Sequence, residues 1–84
     1  MLSSKRFVYI LNSESNPRRF YTGLTSDVAN RISAHNRGES SPTANGRPWR
    51  AIAVIEFAVE ARAVAFERYL KSGSGCAFTA RHFR

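Results

Sequence analysis

The sequence predicts an α+β fold: a small three-stranded antiparallel sheet flanked by helices, in the order β-β-α-β-α plus a short C-terminal helix. Two dense runs of aromatic and branched residues, Phe7 to Leu11 and Ala51 to Phe57, have the composition of strands covered on both faces. Between them lies a segment with helix start and stop signals, and after the second run apolar residues recur at three and four spacing. At 84 residues the chain, taken as 1–84, makes one domain near the lower limit at which a single core holds without staples. Cys76 is alone, which rules out an intrachain disulfide, and one cysteine with two histidines makes a poor structural zinc set. Packing must hold the fold, and 43% hydrophobic residues make that feasible.

Taken in order, Phe7-Val8-Tyr9-Ile10-Leu11 is a strand bounded by Lys5-Arg6 before it and the turn-forming stretch Asn12 to Pro17 after it. Arg19-Phe20-Tyr21-Thr22 resumes β-type sequence, so the two segments form an antiparallel hairpin. The register decides whether Tyr9 and Tyr21 share a face, and it is open at this level. The next helix spans roughly 27 to 37. Ser26 is its expected N-cap, Asp27 places negative charge at the positive end of the dipole, and Gly38 stands where a C′ glycine belongs. Val28 and Ile32 define its buried stripe, while Arg31 and His35, four apart, share one flank facing a cleft.

The stretch from Arg37 to Arg50 is polar, turn-rich and long for so small a domain, which favours a functional loop. Arg47, Trp49 and Arg50 combine cations with one stacking surface, a set suited to nucleic acid; the alternative for Trp49 is an anchor that fixes the loop to the core. Ala51 to Phe57 is the third strand, apolar on both faces and expected at the centre of the sheet. A second helix runs roughly from Val59 to Ser72, with Val59, Ala63, Phe66 and Leu70 as its apolar repeat. Glu67 projects on the shoulder of that arc, where a carboxylate needs a partner, either a metal ion or an Arg. Ser72-Gly73-Ser74-Gly75 breaks the helix, and Cys76 to Arg84 forms a short final turn or helix with Phe78 and Phe83 over the core and Arg81 and Arg84 in water.

Thirteen Lys and Arg against 6 Asp and Glu give a formal charge of +7, and such a surface suits a polyanion. Most of those cations are Arg, whose planar fork holds phosphate in a bidentate way; arginine-rich codon usage would give the same bias. No apolar run approaches the roughly 18 residues of a transmembrane helix. Met1 to Arg6 lacks the apolar core of a signal peptide, so a cytoplasmic location is expected.

Val8-Tyr9-Ile10, Tyr21-Thr22-Gly23, the Arg of Asp27-Val28-Ala29-Asn30-Arg31 and the helical Glu of Phe66-Glu67-Arg68 together resemble the GIY-YIG nuclease domain, most closely its small stand-alone bacterial members. The resemblance covers nearly the whole chain. Phe7 stands where the family's first triplet opens on Gly, and Thr22 where the second has Ile; no Asn follows Asn45, whereas many members carry a late polar residue, often Asn. The resemblance implies hydrolysis of a DNA phosphodiester with one divalent ion, Mg²⁺ or Mn²⁺. Tyr9 would take the proton of the attacking water, Tyr21 would orient water and phosphate, and Arg31 would hold the phosphate. His35 would help Tyr9 lose its proton, and Glu67 would ligate the metal. Taken one by one, the tyrosines could instead be packed core residues, His35 a helix-end residue, and Arg31 with Glu67 a structural bridge. A structure-specific enzyme of DNA repair or recombination is one expectation and a non-catalytic nucleic-acid-binding module the alternative, either of them as a homodimer or with a protein partner.

Overall fold

The computed structural model describes residues 5–84, with Ser41 described by its backbone alone. The expectation about a leader at Met1 to Ser4 lies outside the described residues. The chain runs β1 (Phe7–Ser13), β2 (Phe20–Thr25), α1 (Val28–Asn36), a 3-10 turn (Ser41–Thr43), β3 (Trp49–Glu56), α2 (Glu60–Leu70) and α3 (Gly73–His82). The three strands form one antiparallel sheet in the order β2-β1-β3.

The centre of the sheet is β1, not β3 as the sequence suggested. From Val8 to Ser13 every β1 residue is buried, whereas β3 beyond its buried first residue Trp49 is half-buried or exposed and leaves Val54 open. Both runs are equally apolar in composition. The difference is pairing: β1 hydrogen-bonds a neighbour on each side, and β3 keeps a free edge bracketed by the charged Arg50 and Glu56.

Side chains on a strand alternate between faces, and β1 divides the core accordingly. Val8 and Ile10 point to one face and pack with Ala63 and Leu70 of α2, flanked by Phe66, Phe78 and Phe83. Tyr9 and Leu11 point to the other and pack with Trp49, Tyr21 and Ile32 of α1. The sheet is thus covered by α1 on one side and by α2 with α3 on the other.

Helix α1 starts one residue later than predicted. Asp27, not Ser26, is the N-cap, its Oδ1 accepting from the Asn30 N–H at 3.1 Å. Thr25 Oγ1 accepts from the Asp27 N–H at 3.1 Å and holds that residue extended for the task. At the other end Gly38 takes φ +79°, its N–H donates to the His35 carbonyl at 3.0 Å, and Glu39 N–H donates to the Ala34 carbonyl at 3.1 Å. This paired closure needs a left-handed residue, which is why glycine stands there. It also fixes the last turn of α1, where His35 sits.

Two more boundaries move. In α2, Val59 is an exposed N-cap outside the apolar stripe, and the buried stripe is Ala63 and Leu70 with Phe66 half-buried. The break after α2 is confined to Lys71 and Ser72: Ser72 Oγ accepts from the Gly75 N–H at 3.1 Å, so Gly73-Ser74-Gly75 becomes the first turn of α3. A methyl group on Gly75 would run into the Tyr69 carbonyl and Leu70 Cα, so glycine is what lets α3 pack against the end of α2. Phe78 and Phe83 close over the core and Arg81 and Arg84 stay exposed, as expected.

Candidate active site

The register settles the question of the two tyrosines. Tyr21 lies opposite Leu11 and Gly23 opposite Tyr9, so Tyr9 and Tyr21 share a face as diagonal neighbours. Their ring centroids are 6.3 Å apart. A side chain at position 23 would strike the Tyr9 hydroxyl and ring carbons, so the phenol lies flat across Gly23. His35 comes up from α1 to complete a group of three rings, edge-on to Tyr21 at 4.9 Å between centroids.

The hydrogen bonds within this group have a direction. Tyr9 Oη is 2.8 Å from His35 Nε2, and His35 Nδ1 is 2.7 Å from Thr43 Oγ1. The Thr43 hydroxyl has one proton and the Ser40 carbonyl in reach at 3.2 Å; directed there, it leaves the hydroxyl oxygen to accept from His35 Nδ1–H. In that arrangement a neutral His35 carries its proton on Nδ1 and offers the bare Nε2 to the Tyr9 O–H. Burial, reinforced by the charge of Arg31, lowers the His35 pKa from 6.5 and keeps the ring neutral.

Thr43 was not among the residues singled out in the sequence. It reaches His35 because the loop from 37 to 48 is folded back and pinned. Trp49 Nε1 donates to the Thr43 carbonyl at 2.7 Å, Ser13 Oγ donates to the Gly46 carbonyl at 2.6 Å, and Arg19 reaches the carbonyls of Pro42 and Asn45. The Asn36 side chain docks α1 onto the start of β3 through the Trp49 backbone, accepting at 2.7 Å and donating at 3.0 Å. The only trace of Thr43 in the sequence was the length of its loop.

Tyr9 is 1% exposed, so the structure shows the site closed. Its pKa is raised from 10.0, first by burial and then by the neighbouring Tyr21 and Glu67 charges; hydrogen bonding and charge from Arg31 pull the other way and are outweighed. The same balance places Arg31 and Glu67 within electrostatic reach of the Tyr9 hydroxyl.

Glu67 is on the shoulder of α2 as predicted, its side chain 15% exposed. Lys71, one turn on, holds it at 2.6 Å, and the same ammonium stands 6.0 Å from the centre of the Tyr21 ring. This (i, i+4) pair takes the place of the Arg31–Glu67 bridge weighed above. Among the described residues no three His, Cys, Asp or Glu side chains cluster closely enough to cage a metal. A single carboxylate that already attracts a cation still suits an ion of the Mg²⁺ type, which keeps several waters and completes its shell on substrate phosphates.

The expected nucleic-acid set does not form one patch. Trp49 is 3% exposed and packed with Tyr9 and Leu11, with Arg19 at 5.5 Å from its ring, so the loop-anchor alternative holds and no face is open to a base. Arg47 is exposed on the loop, with Nε donating to the Ala44 carbonyl at 2.9 Å. Arg50, also exposed, pairs with Asn12 on the sheet face opposite Tyr9.

A hairpin and one helix that bring two tyrosines, an arginine and a histidine to one point, with a glutamate arriving from the second helix, define a class of catalytic domain. The chain matches the GIY-YIG catalytic domain over residues 5–76 and belongs to that family. It is 39% identical over 71 residues to the structure-specific endonuclease subunit SLX1 of Meyerozyma guilliermondii, an alignment spanning 76% of this chain and 24% of that protein. The chain thus spans about a quarter of the length of that relative. A solution NMR structure of a UPF0213 protein from Bacillus halodurans is similar at TM-score 0.54 and 30% identity, over 92% of this chain and 83% of that one. Among the described residues no helix is long and apolar enough to cross a membrane.

Proposed function

We propose that the chain is a divalent-metal-dependent DNA endonuclease whose site is Tyr9, Tyr21, Arg31, His35 and Glu67. The observation that carries this reading is the oriented chain Thr43 to His35 to Tyr9, which ends on a phenol with Arg31 and Glu67 in electrostatic reach. A buried core tyrosine needs one hydrogen-bond partner; it does not need an imidazole whose tautomer is set by a third group.

In the mechanism that follows, Tyr9 acts as a relay. Its O–H donates to His35 Nε2, and with Arg31 on one lone pair of the oxygen the other is left for the attacking water. As the water oxygen closes on phosphorus and the P–O bond to the departing strand end breaks, the water proton moves to Tyr9, the phenolic proton moves to His35, and the departing oxygen takes its proton from solvent. No free phenolate forms, so a raised Tyr9 pKa is no obstacle. Arg31 holds the scissile phosphate and meets the charge that builds on it, and Tyr21 orients water and phosphate. Glu67 holds Mg²⁺ or Mn²⁺, which when bound supplies Lewis acidity at the phosphate. Substrate entry has to shift the half-buried Arg31 and Tyr21 side chains around Tyr9 and release Glu67 from Lys71. The exposed Arg47 and Arg50 serve as outlying phosphate contacts.

A DNA recognised by its structure is the substrate the relative's name suggests for this chain, and a place in repair or recombination goes with that reading. Cutting both strands with one such site takes two copies, a protein partner, or two visits. The second reading, a non-catalytic nucleic-acid-binding module, is favoured by the seal over Tyr9 and by Lys71 on Glu67. Incubation with plasmid, branched and single-stranded DNA in Mg²⁺ or Mn²⁺ separates the two. Cleavage lost in Glu67→Ala supports the nuclease; salt-sensitive binding with no cutting, unaltered by Glu67→Ala, supports the binding module.

A further inference from the structure

A cleft of about 310 Å³ opens beside the site, between β2 and the junction of α2 with α3. Its walls include Phe20 and Tyr21 of β2, Lys71 after α2, Cys76 and Thr79 of α3, and Arg84. Tyr21 belongs to both the site and the cleft, and Lys71 bridges them because it also holds Glu67. Both ionised side chains in the lining are cationic, and no carboxylate joins them. The Arg84 guanidinium lies over the Phe20 ring, 4.1 Å from its centre, so the aromatic ring backs an exposed, flat cationic group. None of these features is used by the proton relay.

We propose that this cleft receives one unpaired nucleotide of the DNA strand next to the scissile phosphate. The Arg84 guanidinium, backed by Phe20, gives its base a flat surface to stack on, and Lys71 contacts the flanking phosphate. The volume is at the small end of ligand pockets, roughly 300–1,000 Å³, which suits a single nucleotide and not a base pair. Base stacking on a flat surface beside cations is how single strands are held without sequence preference. Once Glu67 is engaged elsewhere, the Lys71 ammonium is free for that phosphate, so emptying the ion pair and filling the cleft act in one direction. The proposal rests on the nuclease reading and narrows it: the substrate has an unpaired nucleotide at the cut, as flaps and branch points do.

Cys76 lines the cleft as an exposed thiol and reports on its occupancy. The alkylation rate of Cys76 is measured in chelator with a single-stranded oligonucleotide or with a blunt duplex, and binding of each is followed by anisotropy. Single strand should slow alkylation at least fivefold and duplex should leave it unchanged, with the protection reduced in Arg84→Gln. Equal protection by the two DNAs overturns the preference for an unpaired nucleotide. Full Cys76 reactivity under saturating single strand overturns the cleft as its seat, and if DNA is still cut the nuclease reading stands without it. If DNA neither binds nor is cut, both fall.

Discussion

Tyr9 shows why burial and hydrogen-bond direction have to be weighed together. Desolvation alone would make a phenol a poor base, yet Tyr9 donates to an imidazole that has no other role for its Nε2. Tyr9→Phe removes both the acceptor for the water proton and the link to His35, so cleavage should fall about 10²–10⁴-fold while DNA binding is retained. His35 works as an acceptor only when neutral. Its pKa is lowered from 6.5, so the cleavage rate should be level above that value and decline as pH falls through the lowered one. Stability follows the same sign, since the folded protein takes up this proton less readily than the unfolded chain and loses stability on acidification. Tyr9, with a pKa raised from 10.0, contributes stability that is complete below pH 10 and lost as pH rises through the folded value. Thr43→Val deletes the acceptor for Nδ1–H and should slow cleavage about tenfold, whereas Thr43→Ser should restore it. Nitrogen chemical shifts of His35 would report the loss of a fixed tautomer in the valine variant alone.

At the scale of elements, the helix ends set the geometry of the site. Asp27→Ala removes the α1 cap and should cost about 1 kcal/mol in denaturant unfolding. Gly23→Ala would push the Tyr9 ring off the strand, so its effect should fall on cleavage more than on binding. These features were partly legible in the sequence. Gly38 was placed correctly because a left-handed C′ residue has a strong chemical signature. The N-cap was misplaced by one residue because Ser26 and Asp27 are both good caps, and only the Thr25 contact decides between them. The position of β3 was misread because an apolar run shows how many hydrophobic groups a strand carries but not on which side it finds a neighbour. The Lys71–Glu67 pair lies at (i, i+4) spacing in the sequence, and a choice of partners limited to a metal ion or an Arg passes over it. Thr43 left no local signal, since a loop threonine gains its role only through contacts with Trp49, Ser13 and Arg19 far along the chain.

On the scale of the whole molecule, a sheet of three strands works as a partition. Apolar packing with α2 and α3 holds one face, and the rings of the site fill the other. Leu70→Ala, on the packing face, should cost about 2–5 kcal/mol by leaving a cavity, and its effect on cleavage should follow the folded fraction. The net charge of +7 predicts DNA binding that weakens steeply with salt, in proportion to the phosphates neutralised. The central claim, that side chains from β1 and α2 act as one unit, is tested most directly by single-turnover cleavage of a branched DNA in Mg²⁺ by the wild type, Tyr9→Phe, Glu67→Gln and the double variant. Each single change should reduce the rate at least 100-fold, and the double variant should be no slower than the worse single one. Rates close to wild type in either single variant, or losses that multiply in the double, would contradict it.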